Sequence, residues 1–497
     1  MTIAAALSIA TGGLANINSQ LALVSQNVAN ANTPGYAAEV ATQQSVVADG
    51  VGLGVRSGPA TRYVDAALQA EVFSQNATVA GLQTRQNALQ AIDAVQGTPG
   101  QDTDIASLLG NLQNQFSTLL NDPSSQAQQS QVVSTATTLA QNINTLGNAY
   151  VAQRQTTQDN IVSEVATLND TLSTIGGLSD KIISLHSTGR STADLENQRD
   201  AAVATLSQLV GVKVLQQPNG DVLITTPAGL PLPIHGAVDP LSTSDVNVLP
   251  ETSYPGGGIP PIMLGGVDVT TQLQGGQIGA NIALRDATLP TDQAELDEFA
   301  QNLASRFDAQ GLTLFTDPAG NVPLGGGMPA QNGYVGFAGT IQVNPTVQAN
   351  PSLVRDGTPN SNAGNLAGYT GIIAAVLNNA LGSNPPLNSN AIGLGPAGNL
   401  NAPYAGPTPP YASPSTLQQL VTTMLAAQAQ DSATTSTQAD TEQAVQTSLA
   451  SKLSAQSGVN MDTEMSHMIQ LQNAYGANAK IISAVQAMWT QLLQSVA

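Results

Sequence analysis

The sequence contains no cysteine, which excludes disulfides, thiolate zinc sites and thiol nucleophiles. Basic residues are scarce: 13 Lys and Arg stand against 33 Asp and Glu in 497 residues, a formal net charge of −20. Nucleic-acid backbones and anionic membranes both call for basic clusters, so neither is expected as a partner. Aromatic residues are 3% of a chain that is 41% hydrophobic. Its cores must be built from Ala, Leu, Val and Ile, small side chains that suit close helix packing. No run approaches the roughly eighteen apolar residues of a membrane span. The opening Met1-Thr2-Ile3-Ala4-Ala5-Ala6-Leu7 lacks the basic segment of a secretory signal. A soluble protein is expected, resident in the cytoplasm or exported without a cleaved signal.

Chemistry-bearing patterns are missing as well. His186, His235 and His467 are far apart, with no metal-ligand spacing between them. Glu196/Asp200, Asp292/Glu295, Asp297/Glu298 and Asp462/Glu464 are carboxylate pairs, but most fall in the first turns of expected helices, where acids complement the dipole. Gly52-Leu53-Gly54 follows a turn rather than opening a helix, so it is not a phosphate cradle. No G-x-S-x-G or Walker sequence occurs. No catalytic residue, cofactor or metal is expected, and no enzyme.

What is present is helical periodicity at both ends. Leu7, Leu14, Ile17, Leu21, Val24 and Val28 recur at alternating steps of three, four and seven, the seam of a helix laid on other helices. The pattern stops at Asn32-Thr33-Pro34-Gly35-Tyr36, where Pro34 excludes Thr33 from helical geometry. Met468, Leu471, Tyr475, Ile482, Val485, Trp489 and Leu492 repeat the spacing at the other end, with Asn478 as a polar seam member. These thirteen apolar positions are the expected assembly interface, and the two arms are expected to pair as a coiled coil.

Between the arms, helical text runs from about Val64 to Val95. A second helix follows, capped by Asp102, and a long third one starts at Asp122-Pro123 and ends at the Gly176-Gly177 break. The third carries a narrow stripe through Ala136, Leu139, Ile143, Leu146, Tyr150, Thr157, Ile161, Val165, Leu168, Leu172 and Ile175. Ser191-Thr192-Ala193-Asp194 reads as a capping box. Val212–Leu215 and Val222–Ile224 flank Pro218-Asn219-Gly220-Asp221, a hairpin signal. The expected fold is mainly α with a β-rich middle, an elongated layered molecule. Residues 1–60 and 455–497 would form the terminal coiled coil, and 61–210, 277–310 and 415–454 a long-helix bundle. Residues 211–276 and 311–414 would form an outer β- and loop-rich part.

Three stretches resemble a known family. Ser25-Gln26-Asn27-Val28-Ala29-Asn30-Ala31-Asn32-Thr33-Pro34-Gly35-Tyr36 is similar to the N-terminal signature of bacterial flagellar axial proteins, carried by Asn27, Asn30, Asn32, Thr33, Pro34, Gly35 and Tyr36. Ser457 to Glu464 and Gln470 to Lys480 resemble the matching C-terminal signature. Asp194-Leu195-Glu196-Asn197-Gln198-Arg199-Asp200 resembles the D-L-x-x-Q-R-D element of the hook-associated protein 1 family, through Asp194, Gln198, Arg199 and Asp200. Ala37-Ala38-Glu39 departs from the Ser-Arg-polar sequence usual after the tyrosine. The resemblance implies a structural subunit at the hook–filament junction, outside the cell and exported by the flagellar type III apparatus with an export chaperone. It implies a homo-oligomeric ring, with neighbouring hook subunits and a second junction or filament protein as partners. A hook or distal-rod subunit would share both terminal signatures. An axial scaffold carrying a wall hydrolase, or a generic helical adhesin, are readings from other classes.

Overall fold

The computed structural model describes residues 3–48, 51–97, 103–236, 239–324, 333–383 and 416–496. The chain is mainly helical with small antiparallel sheets, as the sequence pattern implies. It leaves as α1 (Ile3–Asn30), crosses β1 (Glu39–Val40), the hairpin of β2 (Gln43–Ala48) and β3 (Val51–Ser57), and β4 (Thr61–Arg62), and enters the body. β1 and β4 pair so that Glu39 lies opposite Arg62. The body begins with α2 (Ala66–Gln96), α3 (Ile105–Asn121), α4 (Gln126–Ser187) and α5 (Ala193–Leu209). Asp65 caps α2 by accepting from the amides of Ala67 and Leu68. Asp104 caps α3 through Ser107; Asp102 lies outside the described residues.

α4 differs from the sequence-based expectation at both ends. Pro123 does not open it: Asp122 closes α3, and the Ser125 hydroxyl caps α4 by accepting from Gln128. Gly176-Gly177 does not end it. The helix passes through both glycines to Ser187, and position 176 is glycine because a Cβ there would sit 1.8 Å from the Ile234 carbonyl oxygen. Gly176 is a close-approach residue rather than a stop. At 62 residues, α4 spans roughly 90 Å. Every residue of its expected stripe is buried.

Three strands, β5 (Lys213–Gln216), β6 (Val222–Thr225) and β7 (Pro231–Leu232), form one sheet. β8 (Leu241–Ser242), β9 (Met263–Leu264) and β10 (Val267–Asp268) form another. Helical structure resumes in α6 (Gly276–Ala283), passes through a π-helical stretch (Leu284–Thr288) and continues as α7 (Leu289–Asp308). Asp292 and Glu295 therefore lie inside a continuous helix, and the helix-start explanation for that acidic pair does not apply. β11 (Phe315–Thr316) pairs with β12 (Gln342–Val343), followed by the short helices α8 (Pro345–Ala349), α9 (Leu353–Asp356) and α10 (Gly371–Ala375). The chain returns through α11 (Leu417–Ser457) and α12 (Met461–Val496).

Two cores lie along α4. The first half of the helix packs with α3, α7, the start of α11 and residues of 312–324 and 333–381. The second half packs with α5, Phe73 of α2 and the two three-stranded sheets. The described parts of this stretch, 312–324 and 333–381, thus pack on the first core, apart from the sheets of 211–276 with which the sequence reading grouped them. Buried Leu312, Phe315, Phe337 and Ile341 tie them to α7 and α4. Gly325-Gly326-Gly327 and the Pro-rich 384–414 lie outside the described residues.

A polar band on α4 separates the cores. Arg154, fully buried, donates to the carbonyls of Leu249, Pro250 and Thr252 and to Gln293. Gln158 accepts from Arg285 at 2.6 Å, and Glu164 accepts from Asn281 at 2.9 Å. Buried polar groups of this kind need all their partners, so the band sets the relative register of α4 and the α6–α7 helix.

Candidate assembly site at the arm and its hinge

α1 and α12 pack antiparallel along one another. Asn27 of α1 donates to Glu464 near the start of α12, and a Cβ at Gly13 would lie 3.4 Å from the Asn478 amide. Asn478 thus faces the partner helix. Along the seam Ile17, Val24 and Val485 are buried, while Leu14, Leu21, Val28, Met468, Leu471 and Ile482 are half-buried. Leu7, Tyr475 and Trp489 are exposed, and the Leu492 side chain lies outside the described residues. α12 has 36 residues against 28 in α1, so its last turns outrun Ile3. There Trp489 and Leu493 are 50% and 56% exposed. A second apolar row, Met461, Met465 and Ile469, faces solvent on α12. Helices with that much uncovered hydrocarbon bury only one face within the molecule.

The arm joins the body at residues 37–39, and three distant parts of the chain converge there. Asn27, 1% exposed, uses all four of its hydrogen-bonding positions. Its Oδ1 accepts from the Glu39 amide (3.0 Å) and the Tyr36 hydroxyl (3.1 Å); its Nδ2 donates to the Glu39 carbonyl (2.9 Å) and to Glu464 (3.2 Å). Asn197 of α5 does the same from the other side. Its Oδ1 accepts from the Ala37 amide (3.2 Å) and Arg62 (3.0 Å), and its Nδ2 donates to the Ala37 carbonyl (3.1 Å). Between these clips the Ala38 amide donates to the Ser457 carbonyl at the end of α11 (2.8 Å).

Arg62 is the cation of the hinge. Placed by the β1–β4 pairing, it meets Glu196 at 2.9 Å and Asp200 at 2.7 Å, and Asp200 also accepts from Gln69 at 2.7 Å. Burial opposes the Arg62 charge, but Asp200 and Glu196 outweigh it and hold the guanidinium above its usual range. Burial would raise the Glu196 carboxyl too, yet hydrogen bonds from Thr192 and Arg62 bring it below the usual range. Glu39 is raised, first by burial and then by Asp194. Burial, with Glu39 next, pushes the Tyr36 hydroxyl up, so it remains a donor to Asn27 at every physiological pH.

The motif residues divide by role. Asn27 and Tyr36 make the hinge, Asp194 accepts from Gln26 (3.4 Å) and Gln198 (2.9 Å), and Asp200 pairs with Arg62. Arg199 turns away to the Gly220 carbonyl (2.7 Å), fastening α5 to the β5–β6 hairpin. Asn30 accepts from the Thr33 hydroxyl, and Gly35 adopts φ 77° in the turn. Asn32, Thr33 and Pro34 are exposed on the rim of a groove of about 850 Å³ walled by Val72, Phe73, Ala204 and Leu453. The Thr192 side chain makes no cap bond to α5; its hydroxyl donates to Glu196 instead. Sequence reasoning did not single out Arg62, Glu39 or Asn197 as site residues. The last sits inside the recognised element and was the findable one. Among the described residues no group of three or more His, Asp or Glu could hold a metal, and no helix is long and apolar enough to cross a membrane.

Residues 89–321 match the family described as the flagellar hook-associated protein FlgK helical domain, and residues 451–495 match the flagellar basal body rod FlgEFG protein C-terminal family. The chain is similar to flagellar hook-associated protein 1 of Salmonella typhimurium, 26% identical over 322 residues covering 61% of this chain and 55% of that protein. It is similar to the protein of the same name from Bacillus subtilis, 23% identical over 45% of this chain and 46% of that one. The chain spans about half the length of the curated relatives it matches. The solved flagellar hook junction protein FlgK from Burkholderia pseudomallei aligns over 51% of this chain and 45% of its own, at 26% identity and a TM-score of 0.41.

Proposed function

We propose that the chain belongs to the flagellar hook-associated protein 1 family, which the matches to the FlgK helical domain and to the curated relatives support, and that it is a structural subunit at the hook–filament junction. It assembles through the α1–α12 arm into a homo-oligomeric ring, with hook subunits on one side and a second junction or filament protein on the other. It reaches that position outside the cell through the flagellar export apparatus, escorted by an export chaperone. The observation that carries this reading is the contrast at residues 37–39. A sparsely buried arm is clamped to a well-packed body by α1, α5 and α11 together. Such an arm suits burial against copies of itself, and the clamp transmits its position to the body. The seam residues from Leu7 to Val28 and from Met468 to Leu492 are then the assembly interface. No catalytic step is assigned.

The match of residues 451–495 to the rod-protein C-terminal family favours a second reading, a rod or hook subunit with the same arm. Fluorescent labelling of the protein in flagellated cells separates the two. The junction reading expects one focus where hook meets filament, and filament shedding when Asn27→Ala replaces the native chain. Label along the whole hook or inside the rod would overturn it in favour of the second.

A further inference from the structure

α11 changes character along its length. Its first turns are held by carbon: Leu417, Leu420, Val421, Met424 and Leu425 are buried in the first core. Arg85 of α2 marks the boundary. It meets Asp431 of α11 at 2.6 Å and donates to Thr435 of α11 at 3.3 Å and to Thr288 at 3.2 Å. Beyond Thr435, among the described residues, Ala439 is the only apolar side chain of α11 that is buried.

What holds 436–457 on α2 is a row of polar side chains. Gln86 donates to Ser436 at 3.0 Å, Gln83 to Gln443 at 2.9 Å and Gln75 to Glu442 at 2.6 Å. Gln446 donates back to Asn76 at 2.8 Å. Each of these bonds is exposed or only partly buried. Water replaces such bonds at small net cost, whereas it offers nothing for the burial of Leu420 or Met424. Packing under the end of this stretch is incomplete as well. The groove of about 850 Å³ beside the hinge lies between the last turns of α11, Val72 of α2 and Ala204 of α5. Leu453 and Ala450 of α11 line it, the first half-buried and the second exposed.

We propose that residues 436–457 form a releasable strap, lifting from α2 as one unit about a pivot at Arg85 while the first turns of α11 stay in the core. The polar row makes release easy, and the groove leaves the far end of the strap without a full apolar seat. The strap ends at Ser457, whose carbonyl accepts from Ala38. Release withdraws that carbonyl and leaves the hinge to Asn27, Asn197 and Arg62. The arm, which α12 continues from the strap, then gains freedom to tilt against α5. The strap does not depend on the assembly reading, and its test needs no flagellum.

Hydrogen exchange of the full chain as dilute monomer, corrected for intrinsic rates, tests the strap. Amides of 440–456 should exchange at one common rate, at least about tenfold faster than those of 420–428. Ala450→Leu adds apolar volume at the groove and should slow the strap by about threefold or more. Gln83→Ala combined with Gln86→Ala removes two of its bonds and should speed it by about the same factor. Neither variant should alter 420–428. A rate graded inward from Ser457 would mean fraying rather than release and would overturn the proposal. A strap that exchanges only together with the first turns would overturn it too, as would variants that leave the strap unmoved or shift both stretches alike.

Discussion

The arm and the body are built from the same Ala, Leu, Val and Ile on the same helical spacing, yet they end up buried to different degrees. In the body, Leu139, Ile143, Leu168, Ile175 and Ile182 of α4 lose all contact with solvent, because helices or sheets cover α4 along both halves. In the arm the same pattern meets one partner helix and, on α1, the β2–β3 hairpin beside it, and only Ile17, Val24 and Val485 of the named seam are buried. Periodicity says which face of a helix will pack; the number of neighbours decides how completely.

The largest effect should come from breaking the body. Phe307 lies between Phe116, 5.8 Å away, and Phe315, 5.4 Å away and edge-on. Phe307→Ala should cost about 3–5 kcal/mol in denaturant unfolding. Leu14→Ala in the arm, half-buried in the monomer, should cost dilute monomer less than about 2 kcal/mol, while reducing self-association strongly. Equal losses from the two would erase the distinction between arm and body.

The hinge should come next. Arg62→Met would leave Glu196 and Asp200 without their cation. A loss of about 3 kcal/mol is expected, with faster exchange at residues 37–39. A variant as stable as wild type would mean that the clamp does not depend on Arg62.

A smaller, graded effect should separate the regions by pH. Burial pushes Glu164 and Asp297 up to about 7, against hydrogen bonds that favour the charged form. Raised acids stabilise the fold at low pH and cease to do so as pH passes the folded value. The body should therefore lose stability between pH 5 and 7, by at most about 1.4 kcal/mol per pH unit for each group. α1 carries no charged side chain and should show no such dependence in its local exchange. A pH-independent body would contradict these assignments.

The smallest change is Gly35→Ala. Nothing lies within 4 Å of the added Cβ, so only the φ of 77° resists it, at about 1 kcal/mol. A much larger loss would reveal a contact at the turn.

Much of the architecture was legible because it rests on local patterns. The terminal seams, the α4 stripe and the β5–β6 hairpin each announce themselves within a few turns of chain. The misreadings were of residues whose role is set at a distance. Gly176 looks like a helix stop until the Ile234 carbonyl is seen against it. Asp292 looks like a helix-start acid until α6 and the π-helical stretch are seen to precede it. The hinge was half legible. Asn27, Tyr36, Asp194 and Asp200 belong to recognisable elements, whereas Arg62 carries no local signal and gains its meaning from a strand pairing and two carboxylates more than 130 residues away.

The central claim is that the α1–α12 arm is completed by neighbours rather than by its own chain. Hydrogen exchange of the full-length protein, measured in dilute monomer and in the assembled state, tests it most directly. The expected result is fast exchange across 3–30 and 461–496 in the monomer beside a protected α4, and protection of both arm helices on assembly. An arm as protected as α4 in the monomer, and unchanged on assembly, would contradict the claim.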